Sequence, residues 1–449
     1  FLKGGDDIAT YNISAGFVNQ DGAMENTGAV VFGDYVYKTE RELLDGNDQS
    51  TIAHELFHHW FGDLVTCESW SNLPLNESFA NYSQYLWDEH RFGLDEADFQ
   101  AESETEGYFG SAENGGYVNL IRFDYADKED MFDGHSYNKG GRILHMLRNY
   151  LGDESFFKGL NLYLTSNKFK AAEVHNLRMA FEEVSGEDLN WFFNQWFLSS
   201  GHPVLEVTHK VDAATNTLVL TVKQLQNFNE FPIYKLPVDV AIWDEAGKTT
   251  SRIVVDSVEQ NFYFPIKGTV KNVLFDEPQM LLGKVFEDKS TDEFIHQYYN
   301  AKRWKARNTA LARVANIPGD KSARLLADAL KDPFWSIRLS AINVIEKMEK
   351  EKAKTYVSQL KEMSLNDAKS DVRAAAIGCM EFMEAEEATT FFKSFMAKEK
   401  SYTAIASGLG SYIKVDEKDA LNVAPGSTDS FPITTSPEII AVALIVKVS

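Results

Sequence analysis

The sequence predicts a multidomain α+β protein: a mostly helical first region, a small β-sandwich, and a second helical region built from repeats. Three observations predict this. The chain has 449 residues, which suggests about three domains. The apolar periodicity changes twice, from helical spacing to strict alternation at Gly201-His202-Pro203, and back to helical spacing near residue 290. The pattern Arg-x-x-Ala recurs as Arg307/Ala310, Arg338/Ala341 and Arg373/Ala376, 31 and then 35 residues apart, the period of stacked helix pairs in the HEAT or armadillo style.

Element by element, the expected boundaries are 1–200, 201–288, 289–416 and 417–449. The opening holds a strand-like stretch, Ala29-Val30-Val31-Phe32, among glycine and Asn/Asp turn residues. Helical spacing follows in Thr51–Phe61, Phe79–Trp87, Arg142–Leu151, Phe156–Leu164 and Leu189–Leu198, with Gly93, Gly152 and Gly186 where helices should stop. In the β region Leu205, Val207, His209 and Val211 share one strand face. Leu218, Leu220 and Val222, then Val238, Val240 and Ile242, repeat the alternation. Each Arg-x-x-Ala copy lies on an amphipathic helix, and Asp332-Pro333 breaks the chain before the second. Pro425, Gly426, Pro432 and Pro437 mark the last segment as a linker or tail, ending in an apolar run, Ile439–Val446.

That run is far short of the ~20 residues a membrane-spanning helix needs, so no membrane span is expected, and the compartment stays open between cytoplasmic and exported. Hydrophobic residues make up 44% and charged residues 25%, as in an ordinary soluble globular protein. A net charge of −23 argues against nucleic acid as a partner, because a phosphate-binding surface needs the opposite sign. The acidity reads first as solubility. Cys67 and Cys379 are too far apart in sequence to suggest a disulfide framework.

The strongest chemical signal is His54-Glu55-Leu56-Phe57-His58. Residues four apart lie on one helix face, one 5.4 Å turn apart, so both imidazoles can reach one zinc ion. Glu55 lies beside them as a candidate base toward a metal-activated water. Two histidines leave zinc short of ligands. A metzincin would carry Gly at 61 and His at 64; Phe61 and Leu64 stand there. Glu77 lies 19 residues after His58 near the start of the next helix, where two antiparallel helices would bring it to the same metal. A surface carboxylate is the alternative reading of that residue.

Gly22-Ala23-Met24-Glu25-Asn26, His54-Glu55-x-x-His58 with Trp60-Phe61-Gly62, Asn76-Glu77, and Tyr137-Asn138-Lys139-Gly140 together resemble the zinc aminopeptidase N family, the gluzincin metallopeptidases with a Gly-x-Met-Glu-Asn motif. The resemblance implies a thermolysin-like catalytic domain and one zinc held by His54, His58 and Glu77. It implies Glu55 as general base, Tyr137 as hydrogen-bond donor to the oxyanion, and Glu25 as the residue that binds the substrate's α-amine. The backbone of Gly22, Ala23, Met24 and Asn26 would run beside the substrate. The implied partners are peptides with a free N-terminus. Three positions depart from the family pattern: His59 for a common Gln, Pro74 for a common Trp, and Ser78 for a frequent Gly.

Only 21 residues precede Gly22, so the family's N-terminal β domain is expected to be absent and the catalytic domain incomplete, with the missing N-terminal segment a further partner. Two other functions fit less well. A leukotriene-hydrolase-like relative would share the metal and the Glu and Tyr residues. A non-enzymatic scaffold would be expected to have lost metal ligands; a catalytically inactive fragment is the alternative in which they stay intact.

Overall fold

A computed structural model describes residues 22–423; the Ile439–Val446 run and the other expected tail residues past Val423 lie outside them. Among the described residues the chain divides into two compact units, 22–34 with 48–307, and 35–47 with 308–423.

The first unit opens on a short antiparallel pair, β1 (Ala23–Met24) and β2 (Val31–Phe32), with Ala23 opposite Phe32. The strand expected from Ala29 begins two residues later, because Asn26–Ala29 closes a turn with Ala29 N donating to Asn26 O at 2.8 Å. The helical part comprises α1 (Gln49–Phe57), α2 (Pro74–Arg91), α3 (Leu94–Gly115), α4 (Gly140–Leu151), α5 (Asp153–Asn167), α6 (Val174–Ser185) and α7 (Asn190–Trp196). A parallel pair is set among them, β3 (Val65–Cys67) with β4 (Lys170–Ala172). Gly93, Gly152 and Gly186 stand just past α2, α4 and α6 at φ +97°, +79° and +74°, a conformation glycine adopts without a Cβ penalty.

The first of these helices is shorter than the apolar spacing predicts. It ends at Phe57, and the chain folds back through i→i+5 bonds, Asp63 N to His58 O (2.9 Å) and Leu64 N to His59 O (3.2 Å). Phe61 thereby drops into the core, stacked on Phe79 at 4.2 Å and on Phe57 at 5.1 Å. Burying each such ring contributes about 1.5–3 kcal/mol. This cluster fixes the angle between α1 and α2, and so the distance between the residues they carry.

The same core continues into the strands. These are β5 (Val204–Asp212), β6 (Thr217–Gln224), β7 (Leu236–Asp244), β8 (Gly247–Val255), β9 (Glu259–Pro265), β10 (Asn272–Leu274) and β11 (Lys284–Glu287). They form a four-stranded sheet in the order β11-β5-β6-β9 and a three-stranded sheet β10-β7-β8. Leu218, Leu220 and Val222 of one sheet and Val238, Val240 and Ile242 of the other are buried. Along β5 burial stops after Val207. Val211 is exposed near the hairpin tip, and His209 pairs with Glu293 of α8 (Thr291–Asn300) at 2.7 Å.

Helix α9 (Trp304–Val314) leads into the second unit, which continues as α10 (Asp320–Ala329), α11 (Trp335–Glu346), α12 (Lys350–Ala353), α13 (Val357–Asn366), α14 (Ser370–Gly378), α15 (Ala385–Met396), α16 (Tyr402–Val415) and α17 (Glu417–Val423). The repeated arginines do the same local work. Arg338 donates to Asp332 O and Pro333 O and forks onto Asp367 at 2.7 and 2.7 Å. Arg373 donates to Asp367 O and forks onto Glu399 at 2.8 and 3.1 Å. Arg307 likewise reaches back to Lys302 O at 2.7 Å. The paired alanines, Ala310, Ala341 and Ala376, are fully buried.

Two assignments differ from the sequence expectation. Residues 289–307, expected with the second helical region, group with the first unit. Residues 35–47, expected within the catalytic region, group with the C-terminal helices. Polar bonds hold them there: Asp45 accepts from Ser401 Oγ, Ser370 Oγ donates to Leu44 O at 3.0 Å, and Arg41 donates to Lys400 O at 2.9 Å and lies over the Tyr402 ring. These bonds join residues more than 300 positions apart, which no local pattern reveals.

Candidate metal centre

Helix α1 carries His54 and Glu55 and places His58 at its C-cap. The next helix, α2, begins with Pro74 in its first turn, where proline's fixed φ suits a helix start, and presents Glu77 one residue before Ser78. His54, His58 and Glu77 come together. Their donor atoms stand 3.1 Å (His54 Nε2 to His58 Nε2), 3.4 Å (His54 Nε2 to Glu77 Oε2) and 3.4 Å (His58 Nε2 to Glu77 Oε2) apart.

Those spacings fit a zinc ion. Ligands at ~2.0–2.1 Å around a tetrahedral zinc stand about 3.3–3.4 Å from one another. Glu77 Oε2 is buried and faces the two imidazole nitrogens. His58 Nδ1 lies 3.0 Å from Phe61 O, and a carbonyl can only accept. Nδ1 therefore carries the proton, and in the neutral ring Nε2 offers its lone pair to the site, the usual outer support of a metal-binding histidine. Gly62 makes room for this support: at φ +147° its chain passes so close that a Cβ would lie 3.0 Å from His58 O.

The electrostatics call for a positive charge at the same point. Burial pushes Glu77 up, but hydrogen bonds from His54 and His58 outweigh it and bring the carboxyl down to about 2. Burial opposes charge on His58, yet the bond to Glu77 and its negative charge carry the imidazole up to about 9. Three close donors with one carboxylate thus hold a proton where a cation would sit.

Glu55 is buried, and burial raises its carboxyl to about 7, helped by Glu25 and Glu77 and opposed by His58. Its Oε2 has no hydrogen-bond partner among the described residues. Glu25 joins the cluster from β1's end: one donor atom each from Glu25, Glu55 and His58 lie within 4.8 Å of one another. Ala23 and Met24 form β1 itself, Gly22 O accepts from Gly33 N at 3.0 Å, and Asn26 closes the following turn. His59 lies outside the donor set and faces Asp63, Nδ1 to Oδ2 at 3.6 Å.

Tyr137 lies on a single π-helical turn, His135–Lys139, a rare element often found at functional sites. Its ring stacks against His54 at 6.1 Å and 8°. Burial, with the charges of Glu77, Glu25 and Glu55, pushes the phenol's pKa up, so the hydroxyl keeps its proton and can donate it. Gly140 follows because α2 and α4 nearly touch here: a Cβ on Gly140 would fall 1.8 Å from Ser78 Oγ. Ser78 fills that space and donates to Ser136 O at 2.7 Å.

Sequence reasoning misses Asp133 and His135. Asp133 accepts from His135 N, Ser136 N, His135 Nδ1 and Arg122. The one signal is a carboxylate four residues before Tyr137, common enough elsewhere to pass unnoticed. Lys139, in the same motif, is fully buried over the Tyr108 ring, and burial brings its amine down to about 7.

A helix-borne His-Glu-x-x-His pair beside a glutamate from the following helix is an arrangement that zinc metallopeptidases use. Residues 11–196 match the Peptidase family M1 domain. Tricorn protease-interacting factor F2 of Thermoplasma volcanium is 35% identical over 251 residues, 53% of this chain and 30% of its own. Aminopeptidase N of Lactococcus lactis is 27% identical over 375 residues, 77% of this chain and 40% of its own. The chain thus spans well under half the length of these curated relatives. The crystal structure of Legionella pneumophila aminopeptidase A in complex with aspartic acid shares the fold with a TM-score of 0.75 at 17% identity, covering 92% of this chain and 54% of that one. Among the described residues no helix is long and apolar enough to cross a membrane.

Proposed function

We propose that the protein is a zinc-dependent aminopeptidase that hydrolyses the N-terminal bond of peptides. The observation that carries this reading is the triad of donor atoms 3.1–3.4 Å apart, with the carboxylates of Glu55 and Glu25 beside it. His54, His58 and Glu77 hold one zinc, which when bound supplies Lewis acidity toward a carbonyl and lowers the pKa of water. Glu55 takes a proton from the attacking water and returns it to the leaving amine. Its raised pKa suits that exchange near neutral pH. Tyr137 donates its hydroxyl hydrogen bond to the oxygen that gains negative charge.

Glu25 sets the register. The remaining groups would serve any peptide bond presented to them. A carboxylate in the cluster pairs with a terminal ammonium, whose pKa of ~7.7–8.0 keeps it largely charged at neutral pH. The backbone of Gly22 to Asn26 lies alongside the residue so anchored. The implied partners are therefore peptides with a free N-terminus.

The test uses the whole protein that carries this chain. Free-amine aminoacyl substrates should be cleaved, a chelator should stop turnover, and zinc should restore it. N-acetylated peptides should be poor substrates. Glu25→Gln should lower kcat/KM by about 10²-fold, the low end of breaking a buried ion pair, with zinc content unchanged. Equal cleavage of acetylated and free peptides would defeat the aminopeptidase reading.

A further inference from the structure

We propose that Asp133 is the positioning residue for Tyr137: its carboxylate, held by Arg122, clamps the π-helical turn that aims the phenol. The inference rests on the reading of Tyr137 as the oxyanion donor.

A π-helical turn is rarely self-sustaining, and this one is held from outside. Its backbone bonds include Tyr137 N to Asp133 O at 3.2 Å, Lys139 N to Gly134 O at 3.0 Å, and Gly140 N to His135 O. Asp133 adds four more. Oδ1 accepts from His135 N at 3.0 Å and Ser136 N at 2.9 Å; Oδ2 accepts from His135 Nδ1 at 3.0 Å and Arg122 Nη2 at 3.1 Å. Arg122 is itself fixed, donating to Asp130 O at 2.6 Å and to Asn119 O at 3.3 Å.

The other flank is tied as well. Ser78 holds Ser136 O, and Asn138 Nδ2 donates to Glu104 O at 3.0 Å. The residues on both sides of Tyr137 are thus anchored, and its direction follows from theirs. Burial alone would raise the Asp133 carboxyl, but its bonds from His135 and Ser136, with the nearby positive charge, hold it below the ordinary value, so it is an acceptor at every site.

Asp133→Asn tests this. The amide keeps one acceptor for the backbone N–H groups but turns a donor toward His135 Nδ1 and Arg122. We expect kcat to fall about 10- to 100-fold, the effect of small misplacement, with KM nearly unchanged because Tyr137 acts on the transition state. In a Tyr137→Phe background the same change should add nothing, since the two act as one unit. Amide hydrogen exchange should quicken at residues 135–139 and not in α1. Full additivity of the two losses would overturn the proposal, as would unchanged exchange at 135–139. If Tyr137→Phe is as active as the wild type, the oxyanion reading fails, and exchange alone decides whether the clamp exists. Should Asp133→Asn not fold, Arg122→Gln removes the carboxylate's support and must quicken exchange at the same amides.

Discussion

The role proposed for Glu55 is separable from the proposed metal binding, because its carboxyl stands beside the three donor atoms without being one of them. Glu55→Gln should keep zinc at wild-type stoichiometry and lose about 10²–10⁴-fold in kcat, the usual contribution of a general base. Glu77→Ala should instead lose zinc affinity, read by metal analysis after dialysis. A Glu77→Ala protein with normal zinc affinity would remove that residue from the site. The two histidines and Glu55 were legible because helical spacing is a local rule: four residues make one turn. Glu77 was reachable because it lies near the start of the next helix. The anchoring of Tyr137 was not legible. It depends on Arg122, Asp133 and Ser78 meeting around one turn, and each is an ordinary residue in its own stretch of sequence.

Helix contacts decide whether that site stays assembled. Ser78 and Gly140 share one position between α2 and α4, with a Cβ on Gly140 falling 2.4 Å from Ser78 Cβ. Gly140→Ala should destabilise the protein by about 1–3 kcal/mol, the cost of overpacking. Ser78→Gly in the same chain should recover part of it. Urea unfolding of the three variants measures the recovery, and simple additivity would show that the helices do not meet there. In the second unit, Arg338 and Asp367 are mostly buried around their fork. Arg338→Ala should cost about 3–5 kcal/mol by stranding a buried carboxylate. Lys354→Ala, which removes an exposed pair with Glu384, should change stability far less, because solvent screens the pair. Sequence pattern located five of the seven described helices before the sandwich, α1, α2, α4, α5 and α7, and strands β2, β5, β6 and β7, because periodicity reports which face is buried. It overran the end of α1, since Phe61 is apolar for a core that the chain reaches only after leaving the helix. Along β5 the strand and its pairing with β6 run to Asp212 as the alternation predicts, but burial of that face ends at Val207.

Across the whole molecule, buried acids outside the metal centre set a pH dependence. Burial raises Glu104 to about 7, and Asp98 and Asp276 to about 6, whereas unfolded carboxyls titrate at ~3.9–4.3. Such groups bind more protons folded than unfolded, so their contribution is present at low pH and is lost as pH rises through about 4 to 7. The net charge of −23 adds self-repulsion in the same direction. With a chelator present, the urea midpoint should fall between about pH 5 and about pH 7.5, and Glu104→Gln should flatten the slope. A midpoint that rises over that interval would contradict the assignment. The excursion of residues 35–47 bears on how the protein is made. Asp45 bonds to Ser401, 356 residues later, and closing so long a loop carries an entropic cost that slows folding. On a ribosome, this short segment emerges early and must wait, unpartnered, until nearly all of the described chain has been synthesised. Its final docking is therefore timed by translation, and residues 308–423 expressed alone would lack a piece of their own unit.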